Sequence, residues 1–266
     1  MNKQTSKKPY KVGIVLSGGG ARGFGHIGVL KALFEAGIQP EVVSGSSAGS
    51  IVGALYCDGN DPGQILELSR YIRLINVIRV TIPTNGFMQI QGITSLLRRN
   101  IKATRFEELE KPLFVNATDF YKARLTTFES GPLIRPVMAS AAIPILFKPV
   151  MIDGVAYVDS GLIDNLPVSP LIDKCDYIIG VNANPVGEIE KLGGFTDTID
   201  RMVKISYRDS IQRNKEYCSL YIEPPQLSNY KILEKSKLME MVDAGYQYTK
   251  DLLRYKQHLF GQLVNT

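Results

Sequence analysis

The first sixty residues restrict the fold of this chain more than any other part of it. Val12–Ser17 is a short apolar run that ends in Gly18-Gly19-Gly20. Ile27, Leu30, Leu33 and Phe34 then recur at helical spacing up to a stop at Gly37. Glu41–Ser44 is a second short strand, and Ala48–Tyr56 is a second helix. Strand, glycine turn, helix, strand, sharp turn, helix is the rhythm of an α/β fold whose parallel strands are buried on both faces.

The rest of the chain is expected to extend this unit. Pro62–Leu74 reads as a helix, Leu113–Ala117 and Arg124–Phe128 as a hairpin, and Leu133–Ala142 as a helix stopped by Pro144. Pro149–Ile152 and Val155–Val158 flank an Asp153-Gly154 turn, Pro167–Asp173 reads as a short helix and Tyr177–Val181 as a strand. Thr196–Glu216 and Leu238–Leu253 are long amphipathic helices around a last strand, Leu220–Ile222. From Tyr71 to Arg99 the rhythm lapses into apolar runs with arginines. That stretch is either a cap that meets an anionic membrane or a plain helical insertion. With no repeat, low-complexity tract or linker, one domain over residues 1–266 is expected, its C-terminal helices (196–258) packed on the part before them.

Composition narrows the function. With 44% hydrophobic and 21% charged residues the chain can bury a core without staples, so disorder is excluded. Cys57, Cys175 and Cys218 lie far apart, which fits a reducing compartment rather than a disulfide framework. Two histidines, His26 and His258, are too few for a His-rich zinc site, and no cysteine pair has ligand spacing, so no metal and no cofactor are implied. The net charge of +5 suits an anionic membrane surface but is too small and scattered for nucleic acid. No apolar run reaches the roughly 18–20 residues of a membrane span. Val12–Leu16, behind a basic start, is too short for a signal peptide. A cytoplasmic protein, peripheral on the inner membrane face, is the expectation.

Three motifs carry chemistry. Gly18-Gly19-Gly20-Ala21-Arg22-Gly23 contains G-x-G-x-x-G. A dinucleotide site would need an acid closing the second strand, whereas Glu41 opens it. The remaining readings are a plain tight turn and a cradle of amides for an oxyanion. Gly45-Ser46-Ser47-Ala48-Gly49 is G-x-S-x-G where a strand meets a helix, which puts Ser47 at the tip of a sharp turn as candidate nucleophile. A serine needs a base. His26 reads as a packed or capping residue, and His258 sits at the end of a lysine-bearing helix, so a carboxylate bonded directly to Ser47 is the alternative to a triad. Asp159, at the end of an apolar strand and followed by Ser160-Gly161, is the first choice. Asp153 reads as a hairpin turn, and Asp164 as a turn or capping residue.

In order along the chain, the glycine run, the Gly45–Gly49 block and Asp159-Ser160-Gly161 resemble the signature blocks of patatin-like phospholipases. So do His26-Ile27-Gly28-Val29-Leu30, Ala139-Ser140-Ala141-Ala142-Ile143-Pro144 and Asp164-Asn165-Leu166-Pro167. The resemblance covers about residues 11–181 and is greatest to compact bacterial members. It implies a three-layer α/β/α fold with a mostly parallel central sheet and a Ser47–Asp159 dyad. It also implies an oxyanion hole from the amides of Gly18, Gly19 and Gly20, with Arg22 supporting that loop. Phospholipid or another acyl-ester lipid would be cleaved without calcium, and no nucleotide would be needed. Ser160 departs from the family's usual glycine, a replacement that would carry strain if that position had φ > 0. The alternatives are a Ser–Asp–His esterase using His258 and a non-catalytic lipid-binding or regulatory protein that keeps the fold.

Overall fold

The computed structural model describes residues 7–74, 91–188, 191, 193–234 and 236–255. One sheet holds eight strands: β1 (Tyr10–Leu16), β2 (Val42–Ser46), β3 (Leu113–Asp119), β4 (Arg124–Phe128), β5 (Val150–Ile152), β6 (Val155–Asp159), β7 (Cys175–Val181) and β8 (Leu220–Ile222). Strands β3, β2, β1, β7 and β8 are parallel in that spatial order. Hairpins add β4 and the β5–β6 pair antiparallel. The helices are α1 (Phe24–Glu35), α2 (Ala48–Cys57), α3 (Pro62–Leu74), α4 (Gln91–Asn100), α5 (Ile134–Ser140), α6 (Phe195–Asn214) and α7 (Leu238–Tyr255).

Successive strand residues point to opposite faces, and both sets are apolar. Ile14, Leu16, Val43, Val115 and Ile179 join one core with residues of α1, α2, α5 and α7. Val15, Val42, Phe114 and Ile178 join another with Tyr207 and Ile211 of α6. The result is three layers, α/β/α, with the parallel strands covered on both sides as their unbroken apolar runs require.

The ladders around β3 position everything else. Along one edge β3 pairs β4 over 115–119. Along the other it pairs β2 up to Ser46 opposite Asn116, and then β6 down to Asp159 opposite Ala117. Because β2 is parallel to β3 and β6 antiparallel, the two strands run head-on and their C-terminal ends meet beside two consecutive residues.

Three segments differ from the sequence expectation for local reasons. Strand β2 extends to Ser46, because its ladder with β3 continues that far. The expected helix over Pro167–Asp173 is only a 3₁₀ turn, Ser169–Leu171: Pro170 has no N–H, and the Pro167 carbonyl accepts from Ser44 Oγ at 2.7 Å. Helix α5 stops at Ser140 because the chain turns there to offer the Ala142 carbonyl to the Asp159 amide, 3.0 Å away. In the stretch from Tyr71 to Arg99, residues 75–90 lie outside the described ones, while Arg98 and Arg99 occupy the last turn of α4. His258 also lies outside them.

Helix α7 packs backbone to backbone on α1: a Cβ at Gly28 would run into the Val242 carbonyl, and one at Gly245 into that of Gly25. Gly28→Ala therefore forces the helices apart. It should cost about 1–3 kcal/mol, as overpacking in a dense core does. Differential scanning calorimetry should show a Tm lower by several degrees, and an unchanged Tm would refute this account of the α1–α7 contact.

Candidate active site

Ser47 occupies the turn between β2 and α2 at φ 50°, ψ −121°, a region that costs a non-glycine residue about 1–3 kcal/mol and persists only where its surroundings impose it. Those surroundings are visible. The Ser47 amide donates to Ser140 Oγ at 2.8 Å, and its carbonyl accepts from Ser50 Oγ at 2.6 Å and from the Ser50 amide at 3.0 Å. Its hydroxyl, at the N-terminus of α2, donates to Asp159 Oδ2 at 2.6 Å.

Asp159 is held just as firmly. Its Oδ1 accepts from the Gly161 amide at 2.8 Å, and its carbonyl accepts from Thr118 Oγ1 at 3.0 Å. Ser47 and Asp159 are only 3% and 1% exposed. Burial pushes the Asp159 carboxyl up to about 6, against the opposing hydrogen bonds from Ser47 and Gly161. Near neutral pH the group is thus ionised yet still basic enough to take a proton.

Ser160 carries no left-handed strain; among the described residues, the non-glycine ones with positive φ are Ser47, Ala123, Ile145 and Asp153. Instead its hydroxyl lies 2.7 Å from Ser46 Oγ and 3.4 Å from Ser140 Oγ. These three buried hydroxyls tie the turn after β2, the end of α5 and the turn after β6 into one cluster around Ser47.

The glycine loop after β1 lies against this pair, with the Gly18 Cβ position 3.0 Å from Ser47 Cβ. Its three amides are not equivalent. Gly18 N–H donates to Asn165, at 3.0 Å to Oδ1 and 3.3 Å to the carbonyl. Gly19 and Gly20 N–H have no hydrogen-bond partner among the described residues. Gly20 has φ +57°, and a side chain there would strike Ile232. Arg22 is fully buried. It binds Asp200 on α6 (Nη2–Oδ1 2.8 Å) and donates to the Tyr230 carbonyl at 3.1 Å, so its guanidinium faces protein groups on both sides.

His26 is buried, and its Nε2–H donates to the Ser17 carbonyl at 2.8 Å. Burial pulls its pKa down to about 4, so the ring is neutral and sits beneath the glycine loop as a packed residue. Asp153 has the positive φ of a two-residue hairpin turn, and Asp164 Oδ1 accepts from the Leu166 amide and from Asn214. A cavity of about 150 Å³ opens on Asp159 and is lined chiefly by Ile143, Ile145, Leu162, Met202 and Tyr207.

Sequence reasoning gave no role to Ser140, Asn165 or Asp200. Ser140 and Asn165 stand in short motif-like blocks, the one available signal. Asp200 is one acid among several on an amphipathic helix, and nothing local marks it as the partner of Arg22.

Fold and site together define the class: an α/β/α protein that presents a serine on a strained strand-to-helix turn, hydrogen-bonded to a buried carboxylate. The model of the patatin-like phospholipase family matches residues 14–172, and the chain belongs to that family. Lysophospholipase NTE1 of Kluyveromyces lactis is 29% identical over 283 aligned residues, covering 92% of this chain and 19% of that protein. Lysophospholipase nte1 of Aspergillus oryzae is 29% identical over 281, covering 91% and 18%. The chain thus spans less than a fifth of the length of these relatives. Among solved structures, VipD from Legionella pneumophila shares the fold, with TM-score 0.53 and 18% identity over 94% of this chain and 68% of that one.

Two outcomes test this geometry. Ser160→Ala leaves the buried Ser46 hydroxyl without its partner, at a cost of about 1–3 kcal/mol, and Ser46→Ala leaves Ser160 only its longer contact with Ser140, while the double variant removes the Ser46–Ser160 pair together. Urea unfolding of the cycle should therefore give a coupling of about 1 kcal/mol, and strict additivity would rule the contact out. Asp159 has a folded pKa above its unfolded value, so its ionisation destabilises the fold as pH rises from about 4 to 6, reaching on the order of 2–3 kcal/mol above that. The stability gap between Asp159→Asn and the unsubstituted chain should favour the variant at pH 7 and shrink as pH falls to 4. A gap independent of pH would contradict the assignment.

Proposed function

We propose that this chain is a serine lipid acyl hydrolase that cleaves carboxylic esters of phospholipids or lysophospholipids through an acyl-enzyme on a Ser47–Asp159 dyad. The observation that carries the reading is the 2.6 Å hydrogen bond from the Ser47 hydroxyl to a carboxylate whose affinity for protons is raised by burial. Ser47 Oγ attacks the ester carbonyl as its proton moves to Asp159. The developing oxyanion is met by the amides of Gly19 and Gly20, each such donor being worth about 3–4 kcal/mol in comparable sites. Of the three amides expected in this role, that of Gly18 instead donates to Asn165, and its part is to fix the loop. Asp159 returns its proton to the departing alcohol, and an acyl-Ser47 ester remains. Asp159 then takes a proton from water, whose oxygen attacks the acyl carbonyl; as the C–Oγ bond breaks Asp159 passes that proton to Ser47 Oγ, the fatty acid leaves and both residues are restored.

Arg22 supports the loop from below, since its guanidinium is occupied by Asp200 and the Tyr230 carbonyl rather than turned toward a head group. Asp159 serves as base without an imidazole, so His258 has no part in the reaction. The packing of α7 on α1 supports a single folded unit through the C-terminal helices. Among the described residues no helix is long and apolar enough to cross a membrane. Peripheral contact on a cytoplasmic membrane face completes the reading.

A fluorophosphonate probe should label the unsubstituted chain and His258→Ala, and should fail to label Ser47→Ala. Hydrolysis of a lysophospholipid should fall about a thousandfold or more in Ser47→Ala and Asp159→Ala. In the unsubstituted chain, kcat/KM should decline below about pH 6 as Asp159 takes up its proton. Undiminished turnover in Asp159→Ala would end the dyad reading.

A further inference from the structure

We propose that the edge of the molecule bearing Ser47 and Asp159 docks on an anionic lipid surface, through the β3–β4 hairpin tip and an apolar collar around the cavity mouth. The inference rests on the acyl hydrolase reading for the choice of lipid and goes beyond it in naming the surface.

The collar comes first. Ile145, Leu162 and Met202 line the cavity that opens on Asp159, yet all three are exposed, Met202 by 56%. One helical turn beyond Met202, Ile205 is 59% exposed on the same helix. Ile145 has φ 73°, a conformation that a β-branched side chain adopts only under constraint. Large apolar groups gathered at one opening mark a contact surface rather than the scattered exposure of an ordinary face.

The hairpin selects the partner. Strand β3 continues three residues past Asn116, the residue opposite Ser46, so its tip overhangs the end of β2 by roughly 10 Å. That tip presents Phe120 and Tyr121, the latter 67% exposed, between Asp119 and the exposed cations Lys122 and Arg124. Asp119 is buried, accepts from the Tyr121 and Lys122 amides at 3.1 Å each and faces Arg124 Nε at 3.6 Å, so that pair is matched within the hairpin and Lys122 is the cation at the tip without an ion pair among the described residues. The neighbouring β5–β6 turn adds one exposed acid, Asp153. The amphipathic ring of Tyr121 and the apolar ring of Phe120, beside a long cationic side chain, match the head-group level of a bilayer: the rings enter the boundary and the Lys122 ammonium meets phosphate, with Arg124 beside it. A protein partner would need a matched solid surface; a bilayer accepts this uneven one and delivers acyl chains to the collar.

The test uses the full chain with Ser47→Ala, so that vesicles are not consumed. Co-sedimentation is measured on phosphatidylcholine vesicles with and without phosphatidylserine. Adding Phe120→Ser and Tyr121→Ser should lower partition onto both by about tenfold. Lys122→Glu with Arg124→Glu should lower partition onto phosphatidylserine vesicles by roughly fivefold or more per charge and leave phosphatidylcholine binding unchanged. Where Ser47 is kept, Phe120→Ser/Tyr121→Ser should leave turnover of a dispersed short-chain ester within about twofold while hydrolysis of vesicle lipid drops. Partition unaffected by the hairpin changes would overturn the proposal. So would a loss that follows Arg98→Glu/Arg99→Glu instead, or a self-associated species in size-exclusion chromatography that disappears with the same hairpin substitutions. If the dispersed ester is not turned over at all while the hairpin variants still lose the vesicles, the hydrolase reading falls and the docking surface stands.

Discussion

Two strands that run into each other along one edge of β3 create the rest of this site. A parallel strand and an antiparallel one share that edge, the first ending beside Asn116 and the second beside Ala117. Strand ends that meet at consecutive residues of a third strand have little room to drift. Ser47 and Asp159 are therefore neighbours by ladder geometry before any side-chain bond forms. A one-residue slip of either ladder would turn the wrong face of the strand toward the site.

Around that junction the protein has replaced water with fixed partners. The elbow backbone is tied to Ser140 and Ser50, the carboxylate to Gly161, and the two turns to each other through Ser46 and Ser160. A buried carboxylate with few donors is poorly solvated as an anion, which lifts its proton affinity toward neutrality. The same desolvation works against the fold at neutral pH, a trade between stability and activity that functional sites commonly make. In this chain the serine after Asp159, where the family's pattern has glycine, belongs to the stabilising side: its hydroxyl gives the buried Ser46 a partner.

The layer formed by α6 links the glycine loop to the cavity. Asp200 on this helix pairs with the buried Arg22 and also with Lys204, while Met202 and Tyr207 line the opening. One rigid element thus braces the proposed oxyanion loop and shapes the cavity that opens on Asp159. A buried ion pair of this kind is weak evidence for stability but defines position closely, because removing Asp200 would strand the fully buried charge of Arg22.

Much of this was legible in the residues themselves. An unbroken apolar run marks β1, helical spacing marks α1 and the long C-terminal helices, and turn residues between short strands mark the hairpins. The G-x-S-x-G block marks a sharp turn because glycines permit close backbone approach. The histidine beneath the glycine loop and the turn aspartates Asp153 and Asp164 also read correctly from local context. Strand ends and short helices were less legible: β2 gains two residues from its ladder, and Pro167–Asp173 loses its helix to a missing N–H and a captured carbonyl. The sequence alone thus determined the elements, the candidate nucleophile and a short choice of acids, since these follow from side-chain periodicity and backbone freedom within a few residues. Only the tertiary structure decided that Asp159 meets Ser47, that Gly18 is committed to Asn165 and that Arg22 is held by Asp200. Those contacts join residues 112, 147 and 178 positions apart, and no local pattern encodes a register set by the packing of the whole sheet.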